Sequence, residues 1–199
     1  MTEKRKLQSE KLLAAAYELV AEVGVAGLRT RDIAEHAGVN LAIFHYCFES
    51  KEAFLRALYD FIIAQFRSEA ERFLTAQSPV EQLKKQGEAR AYFLREKPKP
   101  IQVWKGFIGE AWTNESVRAI IRDHLAEQRL RLTTLITAAR KEGVEVGLPI
   151  EDPCLAASLM MALYDGLLFQ WVVDPDAFPI DDYVKAVEAL MGLEKEGSQ

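Results

Sequence analysis

Residues 24–51 read Gly-Val-Ala-Gly-Leu-Arg-Thr-Arg-Asp-Ile-Ala-Glu-His-Ala-Gly-Val-Asn-Leu-Ala-Ile-Phe-His-Tyr-Cys-Phe-Glu-Ser-Lys. Two short helical segments, about 30–37 and 41–47, are joined by Ala37-Gly38-Val39-Asn40. Glycine makes the turn, Val39 seats it on an apolar core, and Asn40 is a good cap for the segment that follows. The first segment turns Ile33 and Ala34 inward; the second turns Ile43, Phe44 and Cys47 inward and Leu41, Ala42, His45 and Tyr46 outward. This is a helix-turn-helix pattern, whose second helix offers its N-terminal side chains to the major groove of a duplex.

Working outward, the helical period dominates and no alternating run of strand length appears. Upstream, Leu12, Ala16, Leu19, Val20 and Val23 recur at steps of three and four until Gly24. Downstream, Ser50 and Glu52 signal the start of a long helix, about 51–76, with Phe54, Leu58, Phe61, Ile62, Phe66 and Phe73 on its inner face. Ser78-Pro79 restarts the pattern, with Val80, Leu83, Ala91 and Leu94 apolar until Lys97-Pro98-Lys99-Pro100. A sixth helix holds Trp104, Phe107, Ile108, Ala111 and Trp112. A seventh runs over about 115–141, an eighth from Pro153 to Val173, and a ninth over about 181–192. The chain is therefore expected to be all-α, with about nine helices. The eighth helix is apolar nearly all round, so it needs cover on both sides, and a second copy of the chain is the simplest cover.

A chain of 199 residues buries about 70% of its surface on folding, enough for a core without metal or disulfide. Cys47 and Cys154 cannot build a disulfide framework, which suits a reducing cytosol. Residues 1–11 lack the apolar stretch of a signal peptide. Asp165 interrupts the most apolar segment and leaves uncharged runs too short to span a bilayer. A cytoplasmic protein without membrane contact is expected. The net charge is −5, but residues 1–51 carry seven cationic and seven acidic side chains and are neutral. A neutral segment binds nucleic acid only if its cations share a face.

From Leu12 to Phe61 the chain resembles the TetR/AcrR family of one-component transcriptional regulators. The resemblance rests on Ala21-Glu22-Val23-Gly24, Thr30-Arg31-Asp32-Ile33-Ala34, Ala37-Gly38-Val39, the aromatic cluster through Phe48, and Ser50-Lys51-Glu52. Tyr164-Asp165-Gly166-Leu167-Leu168 and Trp171-Val172-Val173-Asp174-Pro175 look, more weakly, like the family's dimerising helix. The resemblance implies a DNA-binding domain at 1–51, a linking fourth helix, and a ligand-binding and dimerisation domain at 52–199.

Position by position, it implies contacts from Arg29, Thr30 and Arg31 to phosphate. Asn40 would cap the recognition helix, and Leu41 and Ala42 would face the bases. His45 and Tyr46 would press on the backbone, and Lys51 would meet a phosphate. Arg29 stands where a small polar cap is usual, so the second helix is expected to begin one residue later. Leu41 replaces a polar or basic residue and suits a thymine methyl. Lys4-Arg5-Lys6 reads as a solvated tail or an arm reaching DNA. An effector pocket is expected from Tyr92, Phe93, Trp104, Phe107, Ile108, Trp112, Met160 and Tyr164, with the aromatics of the sixth helix otherwise in the core. A dimer seam is expected from Leu163, Leu167, Trp171, Val184, Val187 and Met191.

The partners implied are an operator duplex, a second copy of the chain and a small-molecule effector. No cofactor is implied: His36, His45 and Cys47 match no zinc spacing. The Gly-rich phosphate loop, the Gly-x-Ser-x-Gly elbow and the His-Glu-x-x-His helix of common enzyme classes are absent from the sequence. The rival reading is an all-α partner-binding adaptor without effector control, which the apolar Leu41 favours.

Overall fold

A computed structural model describes residues 2–70, 78–97, 99–144, 146 and 149–190. The described residues form nine helices and no strand: α1 Glu3–Val23, α2 Thr30–His36, α3 Leu41–Cys47, α4 Lys51–Ala70, α5 Pro79–Glu96, α6 Lys99–Glu110, α7 Glu115–Lys141, α8 Pro153–Val173 and α9 Ile180–Leu190. Phe73 and Met191, two residues assigned inward or interfacial roles from sequence, lie outside the described residues, as does the side chain of Val184.

The chain divides into two compact units, Met1–Glu69 with Pro98–Asp123, and Ala70–Lys97 with His124–Gln199. This grouping differs from a boundary at residue 51, because α4 and α6 both belong to the unit that holds the helix-turn-helix.

In the first unit α1 packs against α2, α3 and α6. Leu12, Ala16 and Val20 of α1 are buried with Ile33, Phe44, Phe54, Leu58 and Phe107. The centre is a triangle of rings: Phe44 to Phe48 at 5.3 Å, Phe44 to Phe54 at 5.0 Å and Phe48 to Phe54 at 5.2 Å between centroids. Helix α6 comes close to α1 through Gly106, where a Cβ would stand 3.8 Å from Cγ1 of Val20 and 3.5 Å from Cγ2 of Val25, just after that helix. Lys99, at the start of α6, pairs with Glu18 and lies over the Tyr17 ring.

In the second unit α9 packs on α5 and on α8. Leu83, Phe93 and Leu94 of α5, Ala156, Met160 and Tyr164 of α8, and Tyr183 and Val187 of α9 are buried. Arg129 of α7 donates to Ser158 Oγ of α8 at 2.9 Å. Asp152 caps α8 by accepting from the Cys154 amide at 2.8 Å, with Pro153 at the first helical position.

Helix α8 has two apolar faces. One, through Ala156, Met160, Tyr164 and Leu168, is buried in its own unit; the opposite one exposes Leu155, Leu159, Leu163, Phe169 and Val173. Asp165 does not interrupt the helix, which by length and composition alone is long and apolar enough to cross a membrane. One of its faces, through Ala156, Met160 and Tyr164, is buried within the second unit.

Two expectations on the later helices need correction. Helix α6 stops at Glu110, and Trp112 sits in the following turn, 81% exposed rather than in the core. The turn is forced by the start of α7, where Asn114 Oδ1 accepts from the amides of Ser116 and Val117. Arg118 holds it by donating to the carbonyls of Ala111 and Trp112. Val187, expected in a seam between copies, is spent inside its own unit, where α9 meets α5 and α8.

Candidate nucleic-acid interface

The sharp turn between α2 and α3 is a helix ending of Schellman type. Gly38 takes φ 64°, the Val39 amide donates to the Ala34 carbonyl at 2.9 Å, and the Gly38 amide donates to that of Glu35 at 3.0 Å. Two residues later the chain re-enters a helix. Asn40 is extended and its Oδ1 accepts from the Ala42 amide at 2.9 Å. Its amide nitrogen remains for an outside acceptor such as a phosphate.

Helix α3 then divides cleanly. Phe44 and Cys47 are buried and Ile43 is half-buried, while Leu41, Ala42, His45 and Tyr46 are exposed. The His45 ring stands edge-on to Phe44 at 5.8 Å, which orients it. Flanking this helix in sequence, Arg29, Arg31 and Lys51 are exposed and Thr30 is half-buried. Arg29 is extended and occupies the cap position of α2 without a side-chain cap hydrogen bond, and its carbonyl accepts from the Ile33 amide at 3.1 Å; the helix begins at Thr30, directly after it, and not one residue later as expected. Ser50 caps α4 by accepting from the Ala53 amide at 3.0 Å, setting Lys51 at the helix start.

Lys4-Arg5-Lys6 is neither tail nor arm: it lies in the first turns of α1, which Thr2 caps. Lys4 and Lys6 are exposed, but Arg5 turns inward to α3. Its Nη2 donates to the Cys47 carbonyl at 3.0 Å, and its guanidinium lies 5.6 Å from the centre of the Tyr46 ring. No sequence pattern assigns Arg5 this role, because the contact spans 42 positions.

The residues expected to line an effector pocket fall in both units. Trp104 and Ile108 are half-buried and Phe107 is fully buried on α6, Phe107 against Tyr59 at 5.3 Å between rings. Tyr92 is half-buried and Phe93 buried on α5, and Met160 and Tyr164 are buried on α8. Sequence reasoning missed Arg90, which lies over the Tyr164 ring at 4.6 Å. Its signal was a position on the apolar stripe of α5. Of the expected seam residues on α8, Leu163 is on the outward face, whereas Leu167 and Trp171 are half-buried towards the inner one.

An all-α chain with a capped, outward-facing recognition helix on a rigid aromatic core is a helix-turn-helix DNA-binding regulator by architecture. Comparison with known proteins agrees. Residues 12–58 match the family of bacterial regulatory proteins, tetR family, and residues 79–192 match the BetI-type transcriptional repressor, C-terminal. The chain belongs to the TetR family of DNA-binding transcriptional regulators. It is 28% identical over 159 residues to the HTH-type transcriptional regulator BetI of Rhizobium meliloti (strain 1021), covering 78% of this chain and 73% of that protein. The tetracycline repressor protein class A from transposon 1721 of Escherichia coli is 42% identical over 60 residues, 30% of this chain and 28% of that one. Among solved structures, a putative TetR-family regulator from Rhodococcus sp. superposes with a TM-score of 0.80 at 22% identity, over 94% of this chain and 97% of the other. A putative regulator from Saccharomonospora viridis, solved in complex with choline, gives 0.75 at 24% identity, over 95% of each chain.

Proposed function

We propose that this regulator is a homodimeric repressor that binds a pseudo-palindromic operator and leaves it when a small amphipathic effector binds. The observation that carries the reading is the exposed face of α3, Leu41, Ala42, His45 and Tyr46, held by the Asn40 cap and backed by the Phe44–Phe48–Phe54 triangle. Leu41 and Ala42 read the base edges, with Leu41 against a thymine methyl. Arg29, Arg31, Asn40 and Lys51 fix the register on phosphates. Residues 1–51 carry this function and 52–199 carry ligand binding and dimerisation.

Two further observations support the assembly and the signal. The outward apolar stripe of α8, Leu155 to Val173, is large and one-sided, as a two-fold seam needs. Helix α6 is packed on α1 through Gly106 and Lys99, so a ligand that displaces α6 pulls on the unit that holds the recognition helix. The effector need only favour the dimer that cannot bind DNA; a coupling of about 1–3 kcal/mol loosens the operator roughly 5- to 150-fold. The protein would act in the cytoplasm, as its targets require.

Selection of genomic duplexes with the purified protein tests the reading. A recovered palindrome whose half-sites lie about one helical turn or a near multiple apart is the expected result. Failure to bind any duplex, including random sequence at low salt, would instead mark a partner-binding adaptor, the reading that the apolar Leu41 favours.

A further inference from the structure

Helix α8 turns six residues outward along one line: Leu155, Leu159, Ala162, Gly166, Phe169 and Val173. All six are apolar and exposed, and the face behind them, through Ala156, Met160, Tyr164 and Leu168, is buried in the second unit. The steps along the line alternate between four residues and three. That is the 3.5-residue period of a coiled-coil seam, which keeps one face of a helix against a second helix over its whole length. At about 1.5 Å per residue the seam is about 27 Å long.

The order of sizes along it points to the occupant. Leu155 and Val173 stand nine residues from position 164, Leu159 and Phe169 five, and Ala162 and Gly166 two. Large side chains hold both ends and the two smallest hold the middle. A Cβ added at Gly166 would meet nothing within 4 Å, so among the described residues the space in front of it is open. A seam that reads alike from either end fits its own copy turned end over end by a two-fold axis, the isologous contact in which i meets j and j meets i. Leu155 then packs with the partner's Val173, Leu159 with the partner's Phe169, and Ala162 with the partner's Gly166. A parallel pair would instead set each residue on itself, so that a layer of two phenylalanines would adjoin a layer of two glycines. A lipid surface or an unrelated protein would require no such symmetry of the stripe.

We propose that a second copy of this chain lies along this seam with α8 antiparallel to α8, the two-fold axis passing between Ala162 and Gly166. The inference rests on the dimeric reading above and adds the orientation and the register. The spacing of two packed helices follows the side chains at their contact, so the small pair sets the closest approach at the axis and the larger side chains fill the seam towards both ends.

The test uses the full-length chain with Cys154→Ser, which removes the exposed native thiol and leaves the buried Cys47. Ala162→Cys and Gly166→Cys, carrying different tags, are prepared singly and by co-expression, and each preparation is oxidised with glutathione disulfide. Both positions are exposed in the single chain, so neither substitution threatens its fold. A disulfide needs Cα atoms within about 7 Å. In the proposed register the two unlike thiols face each other, and the mixed dimer should cross-link. Like thiols are offset by four residues, about 6 Å along the helix, and each single variant should stay uncross-linked. A second measurement needs no thiol. Leu159→Glu alone should dissociate the dimer, and adding Phe169→Lys to the same chain should recover self-association by about tenfold or more. The two substituted positions lie about 15 Å apart within one helix, so the recovery reads the partner. Cross-linking of either single variant with itself would overturn the antiparallel register. So would the absence of any cross-link, or of recovery by Phe169→Lys, in a chain whose wild type is dimeric by light scattering; the dimeric reading would then stand on another face. A wild type that is monomeric at micromolar concentration would remove the dimeric reading and the register with it.

Discussion

Arg5 and Cys47 are joined in both directions: Arg5 Nη2 donates to the Cys47 carbonyl at 3.0 Å, and the Cys47 thiol donates to the Arg5 carbonyl at 3.8 Å. The first is the stronger contact. It places a cation on the last turn of α3, where the helix has orphan carbonyls and a partial negative charge. Burial pushes the Cys47 thiol up, with Arg5 pulling it weakly down, so the sulfur stays a protonated donor and a poor nucleophile. The first turns of α1 thereby hold the recognition helix at its C-terminal end while Asn40 holds its start.

Arg5→Ala should therefore weaken DNA binding without removing a phosphate contact. Losing a charged donor to a partly buried carbonyl costs about 1–3 kcal/mol, and Tyr46 loses the cation over its ring. Titrations at several salt concentrations should give lower affinity with an unchanged salt slope. A slope reduced by about one would place Arg5 on a phosphate instead.

Gly38→Ala should destabilise the protein by about 1 kcal/mol. A Cβ at Gly38 meets nothing within 4 Å, so the penalty comes from φ 64° alone. Gly106→Ala is the counter-case. It lies inside α6, where Ala is favoured over Gly by up to about 1 kcal/mol, and its Cβ would make an ordinary contact with Val25. Urea midpoints should move in opposite directions, and equal losses at both sites would contradict the packing described for α6.

The helix-turn-helix was legible because every local signal agreed: the turn glycine, the Asn40 cap, and an apolar period that divides α3 into Phe44 and Cys47 against His45 and Tyr46. Long-range contacts were not legible in that way, and those of Arg5 with Cys47 and of Arg90 with the Tyr164 ring are long-range. Helix α8 failed for a different reason. Apolar residues surround it, so the period carries no phase, and a choice of Leu163, Leu167 and Trp171 mixed its two faces. Trp112 misled because composition continued the α6 pattern past Glu110, while the Asn114 cap of α7 had already ended the helix.

Lys51→Ala should lower affinity for all duplexes to a similar degree and flatten the logarithmic salt slope by about one, as loss of a phosphate contact does. Leu41→Ala should behave otherwise, costing affinity mainly where the operator has a thymine at the facing position. Binding measured on the selected operator and on random duplex separates the two. Equal losses from Leu41→Ala on both would remove Leu41 from the base-reading face.

The outward face of α8 yields the sharpest test of assembly. Leu159 and Leu163 are each 37% exposed in the single chain, with Leu155, Phe169 and Val173 more so, while Met160 on the opposite face is fully buried. A glutamate at Leu159 therefore meets solvent in a lone chain and should leave the fold intact. In a two-fold seam the same substitution appears on both copies and buries two unpaired like charges. Stranding a charge in this way costs about 3–5 kcal/mol, enough to weaken self-association by a factor of hundreds or more. Leu159→Glu should thus keep its helical circular dichroism, run as a monomer by light scattering at micromolar concentration, and bind the palindrome only as weakly as one half-site allows. Met160→Glu, by contrast, should lose the fold of the second unit. A wild-type chain that is monomeric at that concentration, or a Leu159→Glu variant that remains dimeric, would move the interface away from this face of α8.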